Sequence, residues 1–245
     1  MKKMKKIAAI VLAGAMLISS TGCSEIAGEV IDTVVEKAMG ETTMTLIQGN
    51  MDAVYKGVVS EEYAELLTDA STAEQAYLES MESEADFFAY YWGIYDYESG
   101  ESFEDLSEDV RNDIIELCKE IYAQTKYEVL ESSALSEGSY SVKVSIEPSY
   151  IMKQADEMYD RYDTLEAFFE EYKYANFDTM SEEEYRQFTD EYAKIIIQMV
   201  RELIPDMKYQ DAKTQLIQLD EDEEGLLVIN DDDCTRINET LVYYP

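Results

Sequence analysis

The stretch "KYEVLESSALSEGSYSVKVSIEP", residues 126–148, decides the fold class. On either side of it, apolar residues recur every three or four positions, the period of a helix face. Within it the period drops to two. Tyr140, Val142, Val144 and Ile146 point one way and Ser141, Lys143 and Ser145 the other, as a half-buried strand requires. Ser136-Glu137-Gly138-Ser139 supplies a turn and Pro148 closes the second strand, so a β-hairpin is expected among helices.

Working outward, residues 24–39 carry Ile26, Val30, Ile31, Val34, Val35 and Ala38 at helical spacing, with Gly40 as the expected stop. Residues 42–56 repeat the pattern with Met44, Ile47, Met51, Val54 and Tyr55, up to Gly57. Ser60 reads as the cap of a short helix reaching Leu67. Ser71 or Thr72 opens an aromatic-rich helix to about Trp92, and Ser107 caps another through Ala123. Beyond the hairpin, helical spacing predicts one helix over 150–174. "SEEE" at 181–184 fits a capping box, opening a helix with the stripe Tyr185, Phe188, Tyr192, Ile195, Ile196, Met199 and Leu203, ended by Pro205. The tail reads as a second hairpin, 209–219 and 226–229 around "DEDEEG", then a short helix over 235–241 capped by Asp232 or Asp233. Helices segregated from antiparallel hairpins mean α+β, helix-rich, with a curved sheet rather than a doubly wound one.

The amino terminus has Lys2, Lys3, Lys5 and Lys6 ahead of an apolar run over 7–18. As a helix that run reaches ~18 Å, short of the ~30 Å hydrocarbon core, so it is a signal segment rather than a span. "STGC" at 20–23 resembles the lipobox of bacterial lipoproteins, in which Cys23 is acylated and becomes the first mature residue. Ser20 stands where that family usually has leucine, and an ordinary secretory signal with an incidental cysteine is the alternative. The resemblance implies a signal peptide over 1–22; the helical pattern then reads as a lipidated tether helix over 23–41, and the remaining length suits a single α+β domain over 42–245. It places the chain on the extracytoplasmic face of a bacterial cell membrane, held by palmitate-type acyl chains that contribute ~0.8 kcal/mol per buried methylene.

Removing residues 1–22 takes away four lysines and no acid, so the formal charge of −35 becomes −39. Such a chain repels nucleic acid, whose binding needs phosphate neutralisation, and disfavours lying flat on an anionic leaflet. It favours a cationic protein or divalent ions, with a simply solvated acidic surface as the alternative; a small-molecule ligand is the other candidate partner. With 20 Tyr and 7 Phe it folds rather than staying disordered. Histidine is absent, which excludes Ser-His-Asp and Cys-His hydrolases, His-based zinc sites and imidazole pH switches. Neither dinucleotide nor P-loop glycine motifs occur. Cys118 lies with Ile114, Leu117 and Ile121 on a core face, and Cys234 follows three aspartates that raise its thiol pKa. A disulfide between them is permitted outside the cytoplasm, although separate thiols are expected.

Three constellations could carry chemistry. In "DEDEEGLLVIND", residues 220–231, Asp220, Asp222, Glu224 and Asp231 fall at positions 1, 3, 5 and 12 of an EF-hand-like calcium loop, with Gly225 at the sharp turn. Val228 at position 9 and strand-like flanks point instead to a plain acidic turn. Asp156, Asp160 and Asp163 fall on one face of the expected 150–174 helix, where a solvated surface explains them. "DFFAYYWGIYDY", residues 86–97, offers Phe87, Phe88, Tyr91 and Trp92 as either core or a ligand platform. Carboxylate pairs for glycan hydrolysis would arise by chance among 54 acids.

"STGC", "SYSVKVSIEPS" and "LIQLDEDEEGLLVIND" together resemble small extracytoplasmic lipoproteins of Gram-positive bacteria carrying NTF2-like (cystatin-like) domains of unknown function. The resemblance implies a curved sheet wrapped by helices around an apolar pocket, without catalytic residues. The helical stretch 149–204 is long for that fold and is expected to fill the pocket. The reading is a lipid-anchored, non-catalytic extracytoplasmic binding domain with no cofactor. Its alternatives are a calcium-dependent surface protein and a carboxylate-only glycan hydrolase.

Overall fold

The alternation at 139–147 becomes the second strand of a four-stranded antiparallel sheet, ordered β1-β2-β3-β4. The structure, a computed structural model, describes residues 25–67, 71–136, 139–221 and 227–245. Cys23 and the signal segment lie outside the described residues, as do Asp222 and Glu224. The strands are β1 (Lys126–Ser136), β2 (Ser139–Glu147), β3 (Lys213–Glu221) and β4 (Leu227–Ile229), forming a curved, unclosed sheet. Among the described residues eight α-helices accompany it, so the class is α+β as the pattern requires. Val142, Val144 and Ile146 are fully buried on one face of β2, and Ser141, Lys143 and Ser145 lie on the other. β3 pairs with β2 in unbroken register from Ser139↔Asp220 to Ile146↔Lys213, while β1 is bulged between Val129 and Glu131.

Two compact units make up the chain. One takes in Met1–Tyr77, Lys126–Glu147 and Ala212–Leu241; the other Leu78–Thr125, Pro148–Asp211 and Val242–Pro245. In the first, α1 (Glu25–Lys56) packs along β1 and β2, and α8 (Asp231–Leu241) along β3 and β2. Leu46, Ile47, Met51, Val54, Ile217, Leu219 and Ile237 are buried there. α2 (Glu61–Ala64), capped by Ser60, lays the buried Tyr63 ring on Gly49, where even a Cβ would come within 2.2 Å of it.

The helix expected to stop at Gly40 does not stop. α1 continues to Lys56, because a mid-helix glycine costs only ~1 kcal/mol against alanine and the buried face beyond it outweighs that. Gly57 does end it, with φ at 65° and its amide on the Ala53 carbonyl.

In the second unit, α3 (Ser71–Tyr91) arrives from the first. It is followed by α4 (Glu108–Tyr122), α5 (Ile151–Tyr159), α6 (Asp163–Glu171) and α7 (Glu182–Leu203), with α7 packed against α4, α5 and α6. Ser107 caps α4, and the Ser181–Glu184 capping box opens α7 as expected. The single helix expected over 150–174 is two. Arg161 turns its guanidinium back onto the Glu157 carbonyl, the Arg161 amide bonds Met158, and the Tyr162 carbonyl starts α6. Asp156, Asp160 and Asp163 therefore do not all lie on one helix face. Asp160 ends α5 and Asp163 opens α6, where a carboxylate complements the helix dipole. The final helix also starts earlier than expected, at Asp231. The Asn230 side chain accepts the Asp232 amide, and Asp233 is buried, bonded to the Gln218 amide and Arg236.

Candidate functional site

Aromatic residues at the end of α3 sort by helical position. Met81, Ala85, Phe88, Ala89 and Trp92 follow one stripe and are buried. Phe87 and Tyr90 occupy the opposite side and are 45% and 54% exposed. The helix then closes in a Schellman turn: the Gly93 amide bonds the Tyr90 carbonyl and the Ile94 amide the Ala89 carbonyl, with Gly93 at φ 61°. That left-handed residue folds the chain back, so Tyr97, 61% exposed, stands edge-on to Tyr90 at 6.2 Å. Phe87 lies 6.4 Å from Tyr90 and edge-on to Tyr244 at 4.8 Å. Phe87, Tyr90 and Tyr97 thus form a continuous surface stripe of rings.

Of the four aromatics proposed from sequence, only Phe87 reaches this surface. Phe88 is core. Trp92 is core too, stacked on Tyr159 at 5.8 Å, its carbonyl accepting the Tyr192 hydroxyl and its indole N–H buried without a partner. Tyr91 is half-buried, and its hydroxyl donates to both Asp156 oxygens at 2.9–3.0 Å. Tyr90 and Tyr97 were not named. The i, i+3 spacing of Phe87 and Tyr90 and the glycine at 93 were the available signals.

Beneath the stripe lies a buried polar cluster. Burial raises the half-buried Glu84 carboxyl to about 7, partly offset by a hydrogen bond with Tyr122. Burial and then the Glu84 charge push the Cys118 thiol well above its ordinary value. Tyr244 is raised by burial first and then by its closeness to the acidic groups of Cys118 and Glu84. Cys118 is therefore a protonated core thiol outside any disulfide, as its helical spacing implied, and not a nucleophile.

The remaining candidates are separate from these. A shallow depression of about 390 Å³ is lined by Gln154, Glu157, Met158, Arg161, Leu203 and Lys208. Two of its polar side chains are engaged: Gln154 bonds the Asp206 carbonyl and the Lys208 amide, and Arg161 the Glu157 carbonyl. At the acidic loop, Asp220 accepts from Ser139 Oγ at 2.7 Å and Gln218, bonds that hold its carboxyl below the ordinary range. Asp220 pairs with Val228 across β3 and β4, so the flanks are strands, and Asp231 begins α8. Among the described residues, no group of three or more Cys, Asp or Glu is placed to hold a metal ion.

No family model matches the chain, and no curated protein sequence matches it. Among solved structures, it resembles the crystal structure of ycdA from Bacillus subtilis, a protein provisionally identified as a lipoprotein. The TM-score is 0.56 at 11% identity, over 83% of this chain and 56% of that one. The chain thus spans little more than half the length of that relative, and the likeness is one of fold.

Proposed function

We propose that this chain is a lipid-anchored, non-catalytic binding protein displayed on the extracytoplasmic face of a bacterial membrane. The lipid on Cys23 would tether it, and the rings of Phe87, Tyr90 and Tyr97 would do the recognising. The observation that carries the binding role is the stripe itself: three exposed, mutually packed rings, where isolated exposed apolar residues would need no explanation. The address rests on "STGC" after a short apolar run and is supported by fold likeness to a protein provisionally identified as a lipoprotein. Among the described residues no helix is long and apolar enough to cross a membrane, so a lipid supplies the attachment in this reading. The NTF2-like relationship belongs to the same proposal, supported by the single curved antiparallel sheet with α1 along it.

The test is metabolic labelling with an alkyne fatty acid in a bacterial host expressing the full chain. Label in the membrane fraction, protease-accessible from outside and abolished in Cys23→Ala, is the expected result. A Cys23→Ala chain that still labels and sediments with membranes overturns the anchoring.

A further inference from the structure

We infer that the Phe87–Tyr90–Tyr97 surface docks a lysine- or arginine-rich segment of a partner protein; this rests on the binding role proposed above. The charge around the rings carries it. Residues 86–105, which contain the stripe, hold six Asp and Glu and no Lys or Arg, the next basic residue being Arg111. Asp96 and Glu98 flank Tyr97 in the chain, and Asp96 is fixed by accepting the Glu98 amide at 2.9 Å. Asp86 accepts the Tyr95 hydroxyl at 2.7 Å, and Glu104 and Tyr90 act on the same hydroxyl, so carboxylates border the rings on that side too.

Exposed aromatic faces and carboxylates together match one chemistry. The ring faces attract a cation through their quadrupoles and cover its methylene stem, while the acids neutralise its charge. An anionic partner is repelled, and a neutral glycan would use the rings but gain nothing from the acids. The aromatic cluster of α6 and α7 has a cation of its own: its exposed Phe169 shares α6 with Glu170, which pairs with Lys173 at 3.0 Å.

Binding is read by fluorescence anisotropy on the full chain in a neutral detergent, with a labelled alternating Lys-Ala peptide, its Glu-Ala counterpart and a neutral chitooligosaccharide as probes. Only the Lys-Ala peptide should bind, with an affinity that falls as salt rises. Tyr90→Ala/Tyr97→Ala leaves every charge in place and should weaken binding about tenfold, by the loss of two exposed cation–π contacts. Tyr90→Phe/Tyr97→Phe should restore it, Glu98→Gln should weaken it a few-fold, and Phe169→Ala should leave it unchanged. Equal binding of the Lys-Ala peptide by the Ala double variant would overturn the inference, since general attraction to a chain of charge −35 would then suffice. Ring-dependent binding of the oligosaccharide instead would overturn the cationic partner and keep the binding role. The absence of ring dependence for every probe would remove both.

Discussion

In the sheet-bearing unit Tyr63 is wholly buried on Gly49 and the Tyr127 hydroxyl donates to Asp52 at 2.8 Å. In the helical unit Tyr90 and Tyr97 stand more than half exposed, packed on each other. The residue type is the same, and the surroundings decide its use. Tyr63 fills a gap that only a glycine leaves, and Tyr127 is oriented by a carboxylate and a lysine, Lys56 lying 4.2 Å above its ring. Tyr90 has the core stripe of α3 on its far side, so its ring stands at the surface. Tyrosine fills the core in one place and lies on the surface in the other.

The strongest way to break that contrast is Gly49→Ala. Helix propensity alone favours alanine by ~1 kcal/mol, but a Cβ 2.2 Å from the Tyr63 ring forces the ring or α2 to move. The clash wins, and urea unfolding should show a net loss of about 3 kcal/mol. A stabilised variant would mean that Tyr63 is not seated as described.

Next in size is the pH dependence set by Glu84. Its carboxyl titrates at about 7 in the folded protein against an ordinary 4.5, so the folded state holds the proton more tightly. The stability it contributes is complete below pH 4.5 and is lost as pH rises through 7, roughly 3 kcal/mol in all. Glu84→Gln should flatten that part of the stability profile. Identical slopes in the two proteins would place Glu84 in water rather than beneath the aromatic stripe.

Tyr127→Phe and Tyr90→Phe sharpen the comparison directly. The first removes a hydrogen bond to a carboxylate and should cost about 1.5 kcal/mol; the second should leave stability within ~0.5 kcal/mol of the parent. A similar cost for both would erase the distinction between the two tyrosines. The smallest expected effect concerns the 220–231 loop. Calcium and magnesium at matched ionic strength should raise the melting temperature alike, by screening a chain of charge −35. A calcium-specific rise lost in Asp220→Asn would make that loop a metal site.

Much of the architecture was legible in the residues. The β2 alternation, the Ser107 cap, the Ser181–Glu184 box, the Cys118 core face and the Gly57 stop all appear where their patterns put them. Each is a local rule acting over a few residues. Gly40 was misleading because a helix tolerates one glycine when tertiary burial follows it. The break between α5 and α6 was hidden because Arg161 and Glu157 are ordinary helix formers until the guanidinium reaches the carbonyl. At the candidate surface, the richness in aromatics was plain, but Phe88 and Trp92 were as eligible as Phe87.

The α+β class, the strand faces, the helix caps, the acidity and the exclusion of histidine chemistry can all be read from the residues alone. Those follow from backbone period, capping and composition, which need no neighbours. Which aromatics are covered, the return of Tyr97 to Tyr90 through Gly93, and the place of Glu84 among Tyr122, Tyr244 and Cys118 emerge only in the folded chain. Burial and electrostatic environment belong to residues brought together from distant parts of the chain, and no local pattern encodes them.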